Sequence, residues 1–578
     1  MKRVKRLAAA VLAAGIISAS PAWAAEVTIS PALPGKIGST VQDPAGVILN
    51  QPQKMALEKV CQILPELKDL SVRQRHDYEG EPFWRLSLTD SPQGLIPGID
   101  NISAHLTFDK EKGELTALEI QNPKWASEEI PPPVLAKEKA EEFARRLLGD
   151  RIKYYQPAAD MGYGGGSTRD SKGNRIVWAS AAVQFNRLVN GIPLLNSGFQ
   201  VSVDAAGRVT GYHKTDSDNI EFTKFPDPSR AVNKEAAEKN YAGLVKMKLN
   251  YLAHQPVKQL TFGKGRNETR PVLIYSPSFQ GPLDALTGQF PGDFRGNLPQ
   301  TEKITLIGEG KRFIVNTPEE AVKLIADEFG LDLSGMKSAG AEIREELPAS
   351  GNRVKEYYWR AEADPGPDGK PVKMMRFAHL TTLADTGQLV GFNLRDDSGA
   401  GREGAFSQET ARKTAVQFLQ KFLPVGEAQF EIWVPSANED WIPAWVDKGK
   451  LEANYSRPPQ MYFHFNLTHQ GVPVTDRYYS VTVDLLTGKI VSFYDGSGSP
   501  AVILPNSKGI VSADMAKAEY LRRHPLRLTY IWPEYFGQKA PAPYLVYLPA
   551  SGTGWEYIDA FSGKTVAPEE ILFEQPTQ

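Results

Sequence analysis

The sequence holds one cysteine in 578 residues, so no intrachain disulfide can form and stability must come from buried cores. Charge of either sign is not in excess. The 66 Lys+Arg against 68 Asp+Glu leave no basic footprint for nucleic acid, so no nucleic-acid partner is expected. No apolar run reaches the ~20 residues that a membrane-spanning helix requires. Catalytic motifs are missing too. None of the eight histidines (His76, His105, His213, His254, His379, His464, His469 and His524) forms a His-Glu-x-x-His zinc helix. No Gly-x-Ser-x-Gly nucleophile elbow occurs. What remains is ordinary globular composition, 41% hydrophobic and 23% charged, which excludes wholesale disorder and collagen. At roughly 150 residues per domain, this length predicts about three to four domain-sized units.

The N-terminus carries an address. Met1 to Arg6 is a basic leader, Leu7 to Ile17 is an apolar run, and Ala22-Trp23-Ala24 is a small-x-small cleavage site. Together they read as a secretory signal peptide over residues 1–24. Its removal takes four basic groups and predicts a mature chain of 554 residues with net charge -6 and no membrane span. No cysteine follows the cleavage site, so lipid attachment there is not expected. The expected location is secreted or cell-envelope, outside the cytoplasm. Cys61 lies in Met55 to Leu64, where apolar residues recur at helical spacing, and reads as a buried helical thiol.

Internal repetition is the strongest signal. Val189 to Asp204 matches His469 to Asp484 at a constant shift of 280, pairing Gly191 with Gly471, Pro193 with Pro473 and Val201 with Val481. At a shift of 274, Ala104-His105-Leu106-Thr107 matches Ala378-His379-Leu380-Thr381. At 279, Val232, Ala237, Tyr241, Leu249 and Tyr251 match Val511, Ala516, Tyr520, Leu528 and Tyr530. Three segments in one order at nearly one offset identify a tandem duplication. Behind an N-terminal extension at 25–49, each half divides into three units: 50–122, 131–218 and 229–290, then, after a linker at 291–314, 315–398, 405–498 and 509–568.

Each unit opens on a helical pattern with a capping Ser or Thr or an early Pro, such as Thr317 to Gly330 or Ser407 to Phe422. Alternating strand patterns follow, as in Tyr478 to Tyr494. Between strands recurs an Asp with Gly three or four residues on: Asp204/Gly207, Asp284/Gly288, Asp484/Gly488 and Asp559/Gly563. The Asp accepts amides of its own turn and the Gly supplies positive φ, which is hairpin structure. A calcium loop would need several oxygen ligands at alternating spacing, and only one acid stands per turn.

A helix followed by a hairpin ending in Val-x-Val-Asp-x-x-Thr-Gly-Lys-Ile (Val481 to Ile490) resembles the PepSY units of peptidase propeptides and exported bacterial proteins. The order of units, with Tyr544 to Tyr547 shortly before Tyr557 to Lys564, resembles the YcdB/YcdC repeat proteins of Gram-positive bacteria. The resemblance covers most of residues 50–568. It implies an α+β fold of tandem PepSY-like units, each a helix packed on an antiparallel β-sheet, arranged as a duplicated three-unit module. It also implies export and a role in binding or restraining extracytoplasmic proteins such as peptidases. It supplies no catalytic, cofactor-binding or metal-ligating residues, so none is assigned and no cofactor is expected.

Other candidates read as structure. His105 and His379 recur in strand-like segments and read as satisfied imidazoles. Gly162 to Ser167 (GYGGGS) reads as a flexible surface loop, since no strand precedes it and no helix follows. The related triplets Phe83-Trp84-Arg85 and Tyr358-Trp359-Arg360, which recur before strands in the two halves, and the group Trp433, Trp441 and Trp445, read as core fillers more than as glycan-stacking surfaces. The acid pairs Glu128-Glu129 and Glu345-Glu346 read as solvated surface. Three function classes therefore stand open. One is an exported non-enzymatic binding or inhibitory protein with an exported protein or peptide partner. Another is a hydrolase whose site is assembled from distant residues. The third is a structural spacer of the cell envelope in contact with the cell wall.

Overall fold

In the computed structural model, the described residues are 47–566 apart from 92–100, 170–174, 216–219, 254–270, 292–293, 295–299, 346–352, 362–375, 397–401, 435–441, 452–458, 498–501 and 551–555. The leader and cleavage site, residues 1–24, lie outside them.

The first half opens with α1 (Gln51–Ile63), where Asn50 and Gln53 close a capping box. An antiparallel meander follows: β1 (Ser71–His76), β2 (Phe83–Thr89), β3 (Ser103–Asp109) and β4 (Leu115–Gln121). Next, α2 (Pro133–Leu148) leads through a 3-10 turn at Gly149–Tyr154 into β5 (Tyr155–Arg169) and β6 (Arg175–Val189). Then come β7 (Ile192–Asp204), β8 (Val209–Lys214), α3 (Lys234–Leu244), β9 (Met247–Leu252), β10 (Val272–Pro277) and β11 (Leu283–Asp284).

The second half repeats this order behind one added strand, β12 (Gln300–Gly308), and with an added hairpin and final strand in its last part. Its first part is α4 (Pro318–Phe329), β13 (Met336–Glu345), β14 (Arg353–Ala361), β15 (Arg376–Leu383) and β16 (Leu389–Asp396). Its middle is α5 (Gln408–Phe422), β17 (Gly426–Val434), β18 (Gln460–His469), β19 (Val472–Asp484) and β20 (Ile490–Gly496). Its end is α6 (Ala513–Arg523), β21 (Leu526–Ile531), the hairpin β22 (Glu534–Tyr535) and β23 (Gln538–Lys539), then β24 (Tyr544–Pro549), β25 (Tyr557–Asp559) and β26 (Thr565–Val566).

Helical periodicity decides what packs. In α2, Ala136, Ala140, Phe143 and Leu147 form one buried stripe; in α5, Ala411, Ala415, Phe418 and Phe422 form its counterpart. Each stripe covers its sheet, and fully burying a Phe or Leu side chain contributes about 1.5–3 kcal/mol. The duplication is visible in the elements themselves. Val201 and Val481 lie in β7 and β19, strands of equal length at the same place in their sheets, and both are fully buried. The Asp turns behave as the sequence implies. Asp484 Oδ1 accepts the amides of Leu486 and Thr487 at 2.9 and 2.7 Å, and Gly488 takes φ +70°. Asp109 makes a fifth such turn with the amides of Glu111 and Lys112, closed by Gly113.

The leading strands of each third unit do not stay with their own half, although β11, β25 and β26 do. The first sheet runs β1-β2-β3-β4-β8-β7 and continues with β21, β24 and β11; β6 also pairs with β7, and β5 with β6. The second runs β13-β14-β15-β16-β20-β19 and continues with β9, β10, β25 and β26. Thus β21 joins β7 in parallel at Tyr530 and Leu194, and β9 joins β19 in parallel at Tyr251 and Val474. The contacts are symmetric: Tyr530 and Tyr251 are repeat partners, as are Leu194 and Val474. Lys248 of β9 pairs with the buried Glu431 of β17 across the same exchange. A central core, separate from the two helix-on-sheet cores, holds Ala237 with Ala516, Tyr241 with Tyr520, and Tyr251 with Tyr530. Repeat partners even touch, Tyr241 Oη lying 3.4 Å from Tyr520 Oη.

Two sequence expectations need correction. Gly162 to Ser167 is not a loop; it is part of β5, paired from Gly162↔Ala182 to Ser167↔Val177. A Cβ on Gly165 would stand 2.3 Å from the Trp178 carbonyl oxygen, so the glycine permits a close backbone approach. The two aromatic triplets are also not equivalent. Trp84 faces Phe108 near the start of β2, whereas Trp359 faces Ala378 near the end of β14. Both rings are core, each 4% exposed.

Candidate functional site

The repeated histidines sit on the sheet faces away from the helices. Ser87, His105 and Glu119 lie side by side on β2, β3 and β4. Ser87 Oγ is 3.0 Å from His105 Nδ1. A serine, a histidine and an acid in a row are the materials of acyl transfer. That chemistry also needs unoccupied backbone N–H groups to hold an oxyanion. Here β2 and β3 are interior strands paired on both sides, and Ser87 is only 7% exposed. Glu119 accepts a hydrogen bond from Gln121 instead. The row is a flat face contact. In the second half His379 stacks on Tyr358 at 4.6 Å and lies 3.3 Å from Glu356, so the shared histidine has different partners in each copy.

His464 is the most enclosed histidine among the described residues, and sequence reasoning did not single it out. Its ring lies between Trp433 and Tyr478, with centroids at 4.5 and 4.3 Å. Nε2 is 2.9 Å from Asn466 Oδ1 and Nδ1 is 3.0 Å from Tyr462 Oη, partners that suit the neutral Nε2–H tautomer. Burial pushes its pKa down to about 4 and that of the Tyr462 hydroxyl up to about 12. The first half has Gln184 at the matching place, so repetition offers no signal for this cluster.

Because the folded-state value lies below the ordinary 6.5, neutral His464 stabilises the fold fully above pH 6.5, and that contribution drains away as pH falls towards 4. The span corresponds to about 3 kcal/mol. Urea unfolding from pH 7 to 4 should show the native chain losing that much more than a His464→Gln variant. Parallel pH profiles would exclude the assignment.

The other histidines are dispersed. His524 Nδ1 is 2.8 Å from the Ala550 carbonyl oxygen, His469 packs its ring on Tyr251, and His76 and His213 lie towards the surface. His254, Trp441 and Glu346 lie outside the described residues. Cys61 is half-buried on α1, and burial raises its thiol pKa, the reverse of what a nucleophile needs. Among the described residues no three His, Cys, Asp or Glu side chains gather as a metal site. Among those residues no helix is long and apolar enough to cross a membrane.

Two features can receive another molecule. The first is the outer edge of β5, a 15-residue strand paired through β6 and, among the described residues, with no strand on its other side. Its Gly-rich stretch leaves the main chain thinly covered. The second is a pocket at the foot of β5, where Ala56 and Val60 of α1 meet Leu115, Leu147 and Tyr155. On its rim Glu114 holds Arg151 at 2.6 Å and Lys214 at 3.9 Å.

No curated protein matches the sequence. Among solved structures, the chain is similar to the Bacillus megaterium YpeB C-terminal domain at 14% identity and a TM-score of 0.24, over 44% of this chain and 96% of that one. The profile of the YcdB, YcdC repeated domain matches twice, at residues 83–216 and 342–496. The two matched regions span half of the chain, one in each repeat, and the protein belongs to the YcdB, YcdC repeated-domain family.

Proposed function

We propose that this chain is an exported, non-enzymatic protein that binds extracytoplasmic proteins or peptides by strand addition. The observation that supports it is the way the chain already recognises itself. Its two halves are joined by added strands, β21 on β7 and β9 on β19, with β24 beside β11 and β10 beside β25. Strand addition draws affinity from main-chain hydrogen bonds and specificity from alternate side chains. The edge offered to a partner is β5. Its counterpart β17 is covered by β12 over nine residue pairs, from Gln300↔Val434 to Gly308↔Gly426. A peptidase held by an added strand, restrained rather than supplied with substrate, is the finer form of this reading. The division into six units given above and the location outside the cytoplasm belong to the same proposal.

Protein recovered from the medium or cell envelope should lack about 24 residues by intact mass, matching the leader. Immobilised, it should capture an exported protein and leave it uncleaved. Amide exchange should slow along 161–169 on capture. Turnover of peptide, ester or glycan substrates that vanishes on replacing one His or acid would refute the proposal.

A further inference from the structure

We propose that the pocket at the foot of β5 receives an aromatic side chain from a short extended segment of the partner polypeptide. The inference rests on the strand-addition reading and adds an anchor to it. It comes from comparing one place in the two halves.

In the second half the chain between β12 and α4 lays Phe313 there, 1% exposed. Its ring stacks on Phe418 and Phe422 of α5 at 5.9 and 5.8 Å. Its carbonyl accepts the Leu389 amide at 2.8 Å, and Val315 donates to the Gly387 carbonyl at 2.8 Å. The repeat partners of Phe422, Gly387 and Leu389 are Leu147, Gly113 and Leu115, and all three line the first-half pocket. The backbone there matches too, with φ +63° at Gly113 and +69° at Gly387. Leu147 is smaller than Phe422, which leaves more room. An aromatic ring is the shape that the duplicate places at this position.

The route to it differs between the halves. In the second half the amides of Glu309, Gly310 and Lys311 cap the end of α5. In the first half Gly149 donates to Arg145 and the 3-10 turn at Gly149–Tyr154 follows α2. The ligand is therefore a short segment and not a copy of the whole run from 300 to 313. Charge narrows it further. Lys59, Arg151 and Lys214 line the pocket against one carboxylate, Glu114, so the segment that fits carries an acid beside its aromatic residue.

The probe is a fluorescent peptide, acetyl-Asp-Asp-Phe-Ile-Val-Asn-amide, added to the mature full-length protein. It should bind more weakly as salt rises, and Ala in place of its Phe should lower affinity at least ~10-fold. Ala56→Phe, which fills the pocket from α1, should weaken the Phe peptide by a similar factor. Should that variant not fold, the alanine peptide carries the test alone. A benzoylphenylalanine version should crosslink to the segments holding Leu115 or Leu147. Equal binding of Phe and Ala peptides, or crosslinks elsewhere, would overturn the anchor. Binding only by a chain that begins at Val47 would assign the pocket to this chain's own preceding residues and overturn it equally. If the exported partner still protects β5 while Ala56→Phe changes nothing, the anchor fails and strand addition stands. If β5 gains no protection either, both fall.

Discussion

Supplied as two chains, 25–296 and 297–578, the protein should fold fully only when both are present. Each fragment carries a third unit whose leading strands, β9 and β10 or β21 and β24, belong to the other fragment's sheet, and each sheet lacks its continuation beyond β7 or β19. The central core takes its residues from both fragments, so neither can close it alone. Mixing should restore a single cooperative melt whose midpoint rises with fragment concentration, because association is then part of folding. Each fragment alone should melt early, or pair with itself, since β9 can approach β7 much as it approaches β19. Size-exclusion chromatography and thermal melts of each fragment and of the mixture measure this. Two fragments that each melt at the intact temperature as monomers would contradict the exchange.

Tyr530→Ala should destabilise the intact chain by about 3–5 kcal/mol, the range for deleting a large buried side chain. The ring is fully buried where β21 meets β7, and it packs edge-on against Phe225 at 5.0 Å. Its hydroxyl donates to the Pro226 carbonyl, and Asn190 Nδ2 donates to the hydroxyl oxygen at 3.4 Å. Tyr530→Phe should lose less, about 1–2 kcal/mol, because it strips the hydroxyl and keeps the packing. Tyr251→Ala should cost a similar amount, its hydroxyl donating to the Pro505 carbonyl at 2.8 Å. Chemical denaturation reads these differences. Losses under 1 kcal/mol at both tyrosines would mean that the parallel crossings contribute little.

Much of this arrangement was legible in the residues. The 280-residue offset placed Val201 and Val481 in matching strands, and the repeated Asp/Gly turns named the hairpins. The 279-residue offset even paired Tyr241 with Tyr520 and Tyr251 with Tyr530. It could not say that all four would share one core, or that Tyr241 and Tyr520 would touch. Period-two burial tells which side of β9 is apolar, not which of two nearly identical strands it will join, since Leu194 and Val474 offer the same surface. The Gly-rich stretch of β5 misled for a different reason. Glycine has no intrinsic preference for a strand, and pairing with β6 decides its state. The pocket was beyond reach, because it arises from the smaller Leu147 and from a 3-10 turn, visible only beside the filled copy.

The exchange of strands between third units also sets an order of events for a chain synthesised N-terminus first. Thr529 hydrogen-bonds to the Pro193 carbonyl, 336 residues earlier in the chain, so β7 waits through most of synthesis for its neighbour. Such separations between contacting residues slow folding, since a long loop must close before its contacts repay the lost entropy. Until β21 arrives, the start of β7 presents an unpaired edge to whatever is nearby, and β9 does the same until β19 emerges. A chaperone or a second nascent copy meeting that edge would act before the molecule locks. After locking, β21 and β24 extend the first sheet, so loss of the third unit of the second half by truncation or proteolysis would be felt in the first half.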